Sequence, residues 1–372
     1  MKQRLLLIPL ALLLAISLVA IGCPAEEEEV PPPPPEEEQP PEEEPPVEPV
    51  VLIFSCMEPE DSMYVREIFK PLFAEIEERT EGMVTVEPHY ASSLVIVPEV
   101  YDAIIKGTID MGMGIQAFVP GKFPLDEITF LFPYDSPCWR TARIQWELYE
   151  AFPEYQAQYA DVKLIWMTNE PTSICTAKKQ ITKMEDLEGL KMLVAGEWGG
   201  KRIEALGAVP TSVPPTGYTE LEQGIVDGGN HLVLHLLWDF RLGEVLKYIV
   251  SNVHSGGSNM YVMMNKDKWN SLSTDAQNII DELCGANLAD ITDEAQILAD
   301  RENRVLAQQE FGIEFNELSP EEIARWAEAD KAVPEAFIVW LEDLGLPGRQ
   351  FYEEYIRLQE KYSAEEYISI PE

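Results

Sequence analysis

Three regimes of hydrophobic patterning succeed one another along the 372 residues. The first is an unbroken apolar block, LLLIPLALLLAISLVAIG, preceded by Lys2 and Arg4 and closed by Cys23. A positive flank, a short apolar core and small residues before a cysteine describe a secretory signal of the lipoprotein type, with Cys23 as the acylated residue. An uncleaved membrane anchor is the alternative, because the block is close to the minimum spanning length. The second regime, residues 24–50, has no period: PAEEEEVPPPPPEEEQPPEEEPPVEPV is proline and glutamate with a few small or apolar fillers. It cannot bury enough surface to offset its ordering entropy, and it reads as a stiff, self-repelling stalk.

Periodicity begins at residue 51. VLIFSC is a short apolar strand, and Val65, Ile68, Phe69, Leu72, Phe73 and Ile76 then recur at helical spacing up to Gly82. MVTVEPHY alternates as a strand, and VPEVYDAIIKGTIDMGMG reads as a helix ended by Gly107 and another strand. This β-α-β-α-β order predicts a mostly parallel sheet with helices on its faces. VKLIWMT is a further strand, after which QITKMEDLEGLKMLV, EWGGKRIEALGAVPTSV and PPTGYTELEQGIVDGGN repeat the same units in a second lobe. NMYVMMNKDKWNSL supplies a strand that returns to the first lobe. The stretch 273–312 reads as one very long helix, capped by Ser273 or Thr274 and ended by Gly312. Amphipathic helices broken at Leu346-Pro347-Gly348 complete the chain. The fold class is α/β with two lobes.

Charge changes the picture by exclusion. A formal net charge of −39 rules out the basic stripes that nucleic acid requires. With Cys23 assigned to lipid, Cys56, Cys138, Cys175 and Cys284 stand far apart without a CxxC pair, and buried free thiols are expected. GEWGGK resembles a phosphate loop, but Gly196 is one position too close to Gly200-Lys201, and Arg202 replaces the magnesium-binding hydroxyl. The GxSxG and HExxH hydrolase signatures do not occur, so no catalytic residue and no cofactor is expected. Asp227, His231, His235 and Asp239 are four apart in DGGNHLVLHLLWD and would share a helical face at metal-ligand spacing. Gly228-Gly229 argue against that helix, and no metal is assigned. The eight tryptophans are mostly core by their chemistry. Trp198 is set apart by its place at a strand end beside a helix N-terminus, where open α/β sheets bind ligands.

Several motifs, in order, resemble the solute-binding proteins of tripartite ATP-independent periplasmic (TRAP) transporters: AIIKGTIDMGMG, GKFPLDEITFLFPY, KMEDLEGLKMLV, RIEALGAVPTSVP, YTELEQGIVDGGN and SPEEIARWAEADKAVPEAFIVWLEDLG. The resemblance runs from about residue 51 to 361. It implies a two-lobed periplasmic-binding-protein-like fold of type II with a long bridging helix, a solute trapped between the lobes, and delivery to a membrane permease without chemistry. Its lobes would comprise 51–170 plus 259–298, and 171–258 plus 299–372. The expected location is extracytoplasmic, tethered to the bilayer through Cys23. A binding lipoprotein of an ATP-driven importer and, further off, a secreted lipoprotein enzyme are the alternatives.

The resemblance also implies solute contacts at Glu58, Tyr90, Phe118, Ser173, Leu193, Trp198, Tyr218, Asn230 and His231. Where the family's strand carries an arginine that pairs bidentately with a solute carboxylate, this chain has Leu193. Two accounts are open: a solute without a carboxylate, or a carboxylate held by Arg202, Lys201 or protonated His231. The expectation favours a neutral or weakly polar organic solute over a carboxylate.

Overall fold

The computed structural model describes residues 48–136, 138–194, 196–212 and 217–363, with the side chains of His231 and Ser258 excepted. The signal segment, Cys23 and most of the stalk lie outside the described residues. None of the described helices is long and apolar enough to cross a membrane.

The first lobe opens with β1 (Val50–Ser55), α1 (Lys70–Arg79), β2 (Val84–His89), α2 (Val100–Ile105) and β3 (Met111–Ile115). A 3-10 stretch, Pro124–Leu131, leads to α3 (Thr141–Ala151) and α4 (Pro153–Gln158), and then to the long β4 (Val162–Thr176). The second lobe contains β5 (Lys191–Leu193), α5 (Glu197–Ala205), β6 (Val209–Thr211), α6 (Tyr218–Glu222), β7 (Gly228–Leu232), α7 (Leu236–Asp239) and β8 (Tyr248–Val250). β9 (Gly256–Asn265) runs back to the first lobe and is followed by α8 (Lys266–Ser271), α9 (Thr274–Leu283) and α10 (Gly285–Leu306). β10 (Glu314–Asn316), α11 (Pro320–Asp330), α12 (Ala332–Asp343) and α13 (Gly348–Ser363) close the described chain.

The strand order is β2-β1-β3-β9-β4-β7-β5-β6, with β8 and β10 attached beside β4. Within each lobe the strands are parallel, as the alternating pattern predicts: β1 with β2 and β3, and β5 with β6 and β7. β4 and β9 depart from it, since both run antiparallel to their neighbours. Fifteen residues let β4 pair with β9 over its first part and with β7 and β8 over its last, so one strand belongs to both lobes. β9 does return to the first lobe, paired with β3.

The single helix predicted over 273–312 is two helices in sequence. Ser273 caps α9 by accepting from the Ala276 amide, but the helix stops at Cys284, and Gly285 turns the backbone to φ +65°. That left-handed turn suits glycine, and a Cβ there would press on the Trp146 ring. α10 restarts from Gly285 and packs on α3 and β4. Its Asp293 carboxylate reaches across to accept the amides of Ala142 and Arg143 at the start of α3, at 2.9 and 3.1 Å. All four described cysteines are buried, and no disulfide joins them.

Candidate functional site

β4 is buried along nearly its whole length, yet it carries Asn169-Glu170 in the middle of an otherwise apolar and hydroxylic run. The acid is tolerated because β7 ends opposite this point. His235, three residues past the end of β7, sits at the entry to α7 and places its Nε2 3.2 Å from Glu170 Oε2. One helical turn later, Asp239 Oδ2 lies 2.8 Å from His235 Nδ1. Both imidazole nitrogens therefore face carboxylates. Burial alone would push the imidazole's pKa down; Glu170, Asp239 and Glu58 overcome that and hold it well above its ordinary value.

Glu58, from the loop after β1, is the third acid of the cluster and 1% exposed. Burial pushes its carboxyl up to about 7; His235 pulls it down, while Asp239 and Glu170 add to the rise. Its Oε2 has no partner among the described residues. Tyr64 closes the floor, its ring edge-on to the imidazole at 5.6 Å. Gln296 of α10 donates through Nε2 to Tyr64 Oη at 3.0 Å and to Thr168 Oγ1 at 2.9 Å, which leaves its buried Oε1 unpaired.

Of these groups, Glu170, His235 and Gln296 border a cavity of about 20 Å³ walled by β4, the end of β7 and α10. Glu170, Ser173, His235, Gln296, Asp300 and Asn303 are its polar lining, and Met63, Trp139 and Leu232–Leu234 supply apolar walls. Asp300 is held by Arg304 at 2.7 and 3.4 Å. The arrangement offers buried acceptors beside an imidazole whose two nitrogens are already matched to carboxylates. It can grip a small polar molecule.

Of the residues expected to contact solute, Ser173 lines this cavity and Glu58 belongs to the acid cluster beside it. Leu193 lies elsewhere, 3% exposed in an apolar cluster with Cys175, Leu221, Val226 and Leu232. Trp198 packs edge-on to Phe337 at 5.1 Å, under the Lys201 ammonium at 3.8 Å. Asn230 is buried; its carbonyl accepts from Thr172 Oγ1 at 2.7 Å and Ser255 Oγ at 2.9 Å. Tyr218 donates to Glu244 at 2.9 Å, Tyr90 is half-buried with Lys70 6.0 Å from its ring, and Phe118 is half-buried just past β3. The His231 side chain lies outside what the structure describes.

The substitutes for an arginine at 193 are engaged as well. Arg202 is 4% exposed, 2.6 Å from Asp330 and bonded to the carbonyls of Phe130 and Phe132. Lys201 pairs with Glu197 at 2.7 Å. The phosphate-loop look of GEWGGK also has a packing cause: Gly196, at φ +69°, and Gly199 face the Phe130 ring, and a Cβ at Gly196 would collide with it. The four-residue spacing of the metal candidates is not helical, because Gly228–Leu232 is a strand. Asp227 turns to β5, where it accepts from the Lys191 amide at 2.9 Å.

Sequence reasoning did not reach Glu170, Tyr64 or Gln296. The available signal was an acid inside the apolar run VKLIWMTNEPTSICT, which a half-buried strand would not need.

Residues 54–338 match the family described as bacterial extracellular solute-binding protein, family 7. A monocarboxylate 2-oxoacid-binding periplasmic protein of Nostoc sp. is 28% identical over 216 residues, which are 55% of this chain and 57% of that protein's length. Among solved structures, a marine-metagenome TRAP solute-binding protein specific for aromatic acids, bound to metahydroxyphenylacetate, is 24% identical, with a TM-score of 0.78 over 84% of this chain and 99% of its own. A TRAP solute-binding protein of Rhodoferax ferrireducens with copurified benzoate is 22% identical (TM-score 0.78; 84% and 98%). One of Bordetella bronchiseptica with bound mandelate is 22% identical (TM-score 0.75; 84% and 99%). These relatives are solute receptors, and their ligands are carboxylates. They overturn the expectation that a neutral or weakly polar solute is favoured. The physical reason for the error is the place of Leu193: its side chain fills a core, so its lack of charge says nothing about the charge of a solute.

Proposed function

The chain belongs to the bacterial extracellular solute-binding proteins of family 7, and from that premise we propose that it is the extracytoplasmic receptor of a TRAP-type transporter for a small organic carboxylate. The observation that carries this reading is the cavity at the crossing of β4, where buried polar side chains from both lobes and α10 converge. Ser173 and Asn303 supply side-chain donors on its wall. Cys23 would fix the chain to the bilayer, and the Pro/Glu stalk would hold the lobes, 51–170 plus 259–298 and 171–258 plus 299–372, clear of it.

At about 20 Å³ the cavity admits little more than water, whereas solute cavities run to roughly 300 Å³ and above. Entry of a solute therefore requires the lobes to part and close again, with the strand crossings as hinge. The solute is carried, not converted, and closure presents it to the membrane subunits.

A thermal-shift series with benzoate, 3-hydroxyphenylacetate, mandelate and pyruvate tests this. A bound acid at a hundred times its Kd adds about 2.7 kcal/mol of apparent stability. The reading fails if no acid raises Tm, or if a recovered acid has been turned into product.

A further inference from the structure

Resting on the reading just given, we infer that the solute bears a cationic nitrogen as well as its carboxylate, and that Glu170 and Gln296 receive that nitrogen. Three carboxylates, Glu58, Glu170 and Asp239, surround one imidazole, and both nitrogens of that imidazole are already taken at 3.2 and 2.8 Å. The other acid on the cavity wall, Asp300, has its own counter-ions in Arg304, bonded at 2.7 Å, and in the field of Arg301. Arg140, next to the lining residue Trp139, stands 3.8 Å from Glu294. The His235 cluster is the place where negative charge exceeds positive.

A second observation comes from a neutral residue. Gln296 is 4% exposed and lines the cavity; the Tyr64 hydroxyl gives its hydrogen to Glu170 and so can only accept from Gln296, which assigns Nε2 to that side of the amide. Its Oε1 is thereby an acceptor with no donor among the described residues. A buried acceptor left unpaired is costly, so it marks where a ligand donor belongs. Glu58 Oε2, in the same acid cluster, is likewise unpaired. A plain carboxylate would set a further negative charge beside Glu170 and Asp239 and leave the Gln296 oxygen unmatched. An ammonium group supplies positive charge and three donors at once. Its own carboxylate can then face Ser173 and Asn303 on the same wall.

Matched acids separate the two ideas. The purified full chain is titrated calorimetrically with 2-amino acids and the 2-hydroxy acids of the same side chain: phenylglycine against mandelate, phenylalanine against phenyllactate, alanine against lactate. Benzylamine is the amine without a carboxylate. The expected result is that at least one amino acid binds ten-fold or more tightly than its hydroxy partner, and that Glu170→Gln abolishes the preference while Glu170→Asp retains part of it. Equal or tighter binding of the hydroxy acids overturns the inference and leaves the organic-acid receptor standing. So does binding of an oxo or aromatic acid with silence from every amino acid. Benzylamine binding more tightly than any acid, or silence from every acid by a folded chain, overturns both.

Discussion

Arg202 sits among as many neutralising groups as it can use, whereas His235 is outnumbered. The guanidinium of Arg202, on α5, meets Asp330 of α11 at 2.6 Å, gives its remaining bonds to the carbonyls of Phe130 and Phe132, and stacks on the Tyr134 ring at 3.9 Å. One positive charge faces one negative charge, and Nη1 finds two backbone oxygens. The imidazole of His235 faces three carboxylates, next to a cavity, with Glu58 Oε2 and Gln296 Oε1 unpaired. A buried ion set that closes on itself is a joint; Arg202 clamps the 130–132 segment onto α5 and α11. An ion set that does not close asks for something from outside. The distinction lies in how the bonds are matched, since both sets are equally buried.

Breaking the joint should give the largest effect. Asp330→Ala leaves the Arg202 charge buried and unpaired, and removal of one member of such a pair costs about 3–5 kcal/mol. Chemical denaturation should show that loss in full. Arg202→Met combined with Asp330→Leu should recover most of it, because an apolar replacement of both ions avoids their desolvation. A double variant as unstable as the single one would mean that the carbonyl contacts of Arg202, not its ion pair, hold the segment.

Leu193→Arg should come next. It restores the arginine that the resemblance implies on this strand, but it puts a guanidinium among Cys175, Leu221 and Leu232. The cost is roughly 3 kcal/mol, moderated by the length of the side chain, which can bend its head toward water. Affinity for benzoate or mandelate should not rise. A gain in carboxylate affinity with unchanged stability would show that position 193 reaches the solute after all.

The contrast between the two ion sets also marks how much the residues disclosed in advance. Helix and strand order was legible because each lobe repeats β-α units whose apolar periods are local. The break at Cys284–Gly285 was legible only in principle, since a lone glycine in a helical pattern is usually tolerated; the Trp146 ring that fixes it comes from another helix. His235 and Asp239 were paired by their spacing. Their partner Glu170 is 65 residues earlier than His235, and no local pattern announces it. Leu193 misled because a strand position was read as facing the cleft when its side chain fills the second lobe's core.

Glu58→Gln gives the smallest effect and the most discriminating one, because it vanishes at low pH. The carboxyl of Glu58 rises from its ordinary 4.5 to about 7 in the folded chain, chiefly through burial. Between these values the unfolded chain releases the proton while the folded chain keeps it, so stability falls as pH rises through this window. His235 acts in the same direction: its raised pKa gives stability that is present below its ordinary value of 6.5 and is lost at higher pH. Wild-type Tm should therefore decline from pH 5 to pH 8. Glutamine keeps the shape and cannot ionise, so the variant and the wild type should melt together near pH 4. At pH 8 the variant should be the more stable of the two. The joint at Arg202 has no such surplus acid, and Asp330→Asn should destabilise at both pH values. A Glu58→Gln difference that is the same at pH 4 and pH 8 would show that the carboxyl finds a partner the His235 cluster does not provide, and the contrast between a closed and an open ion set would fail at its most exposed point.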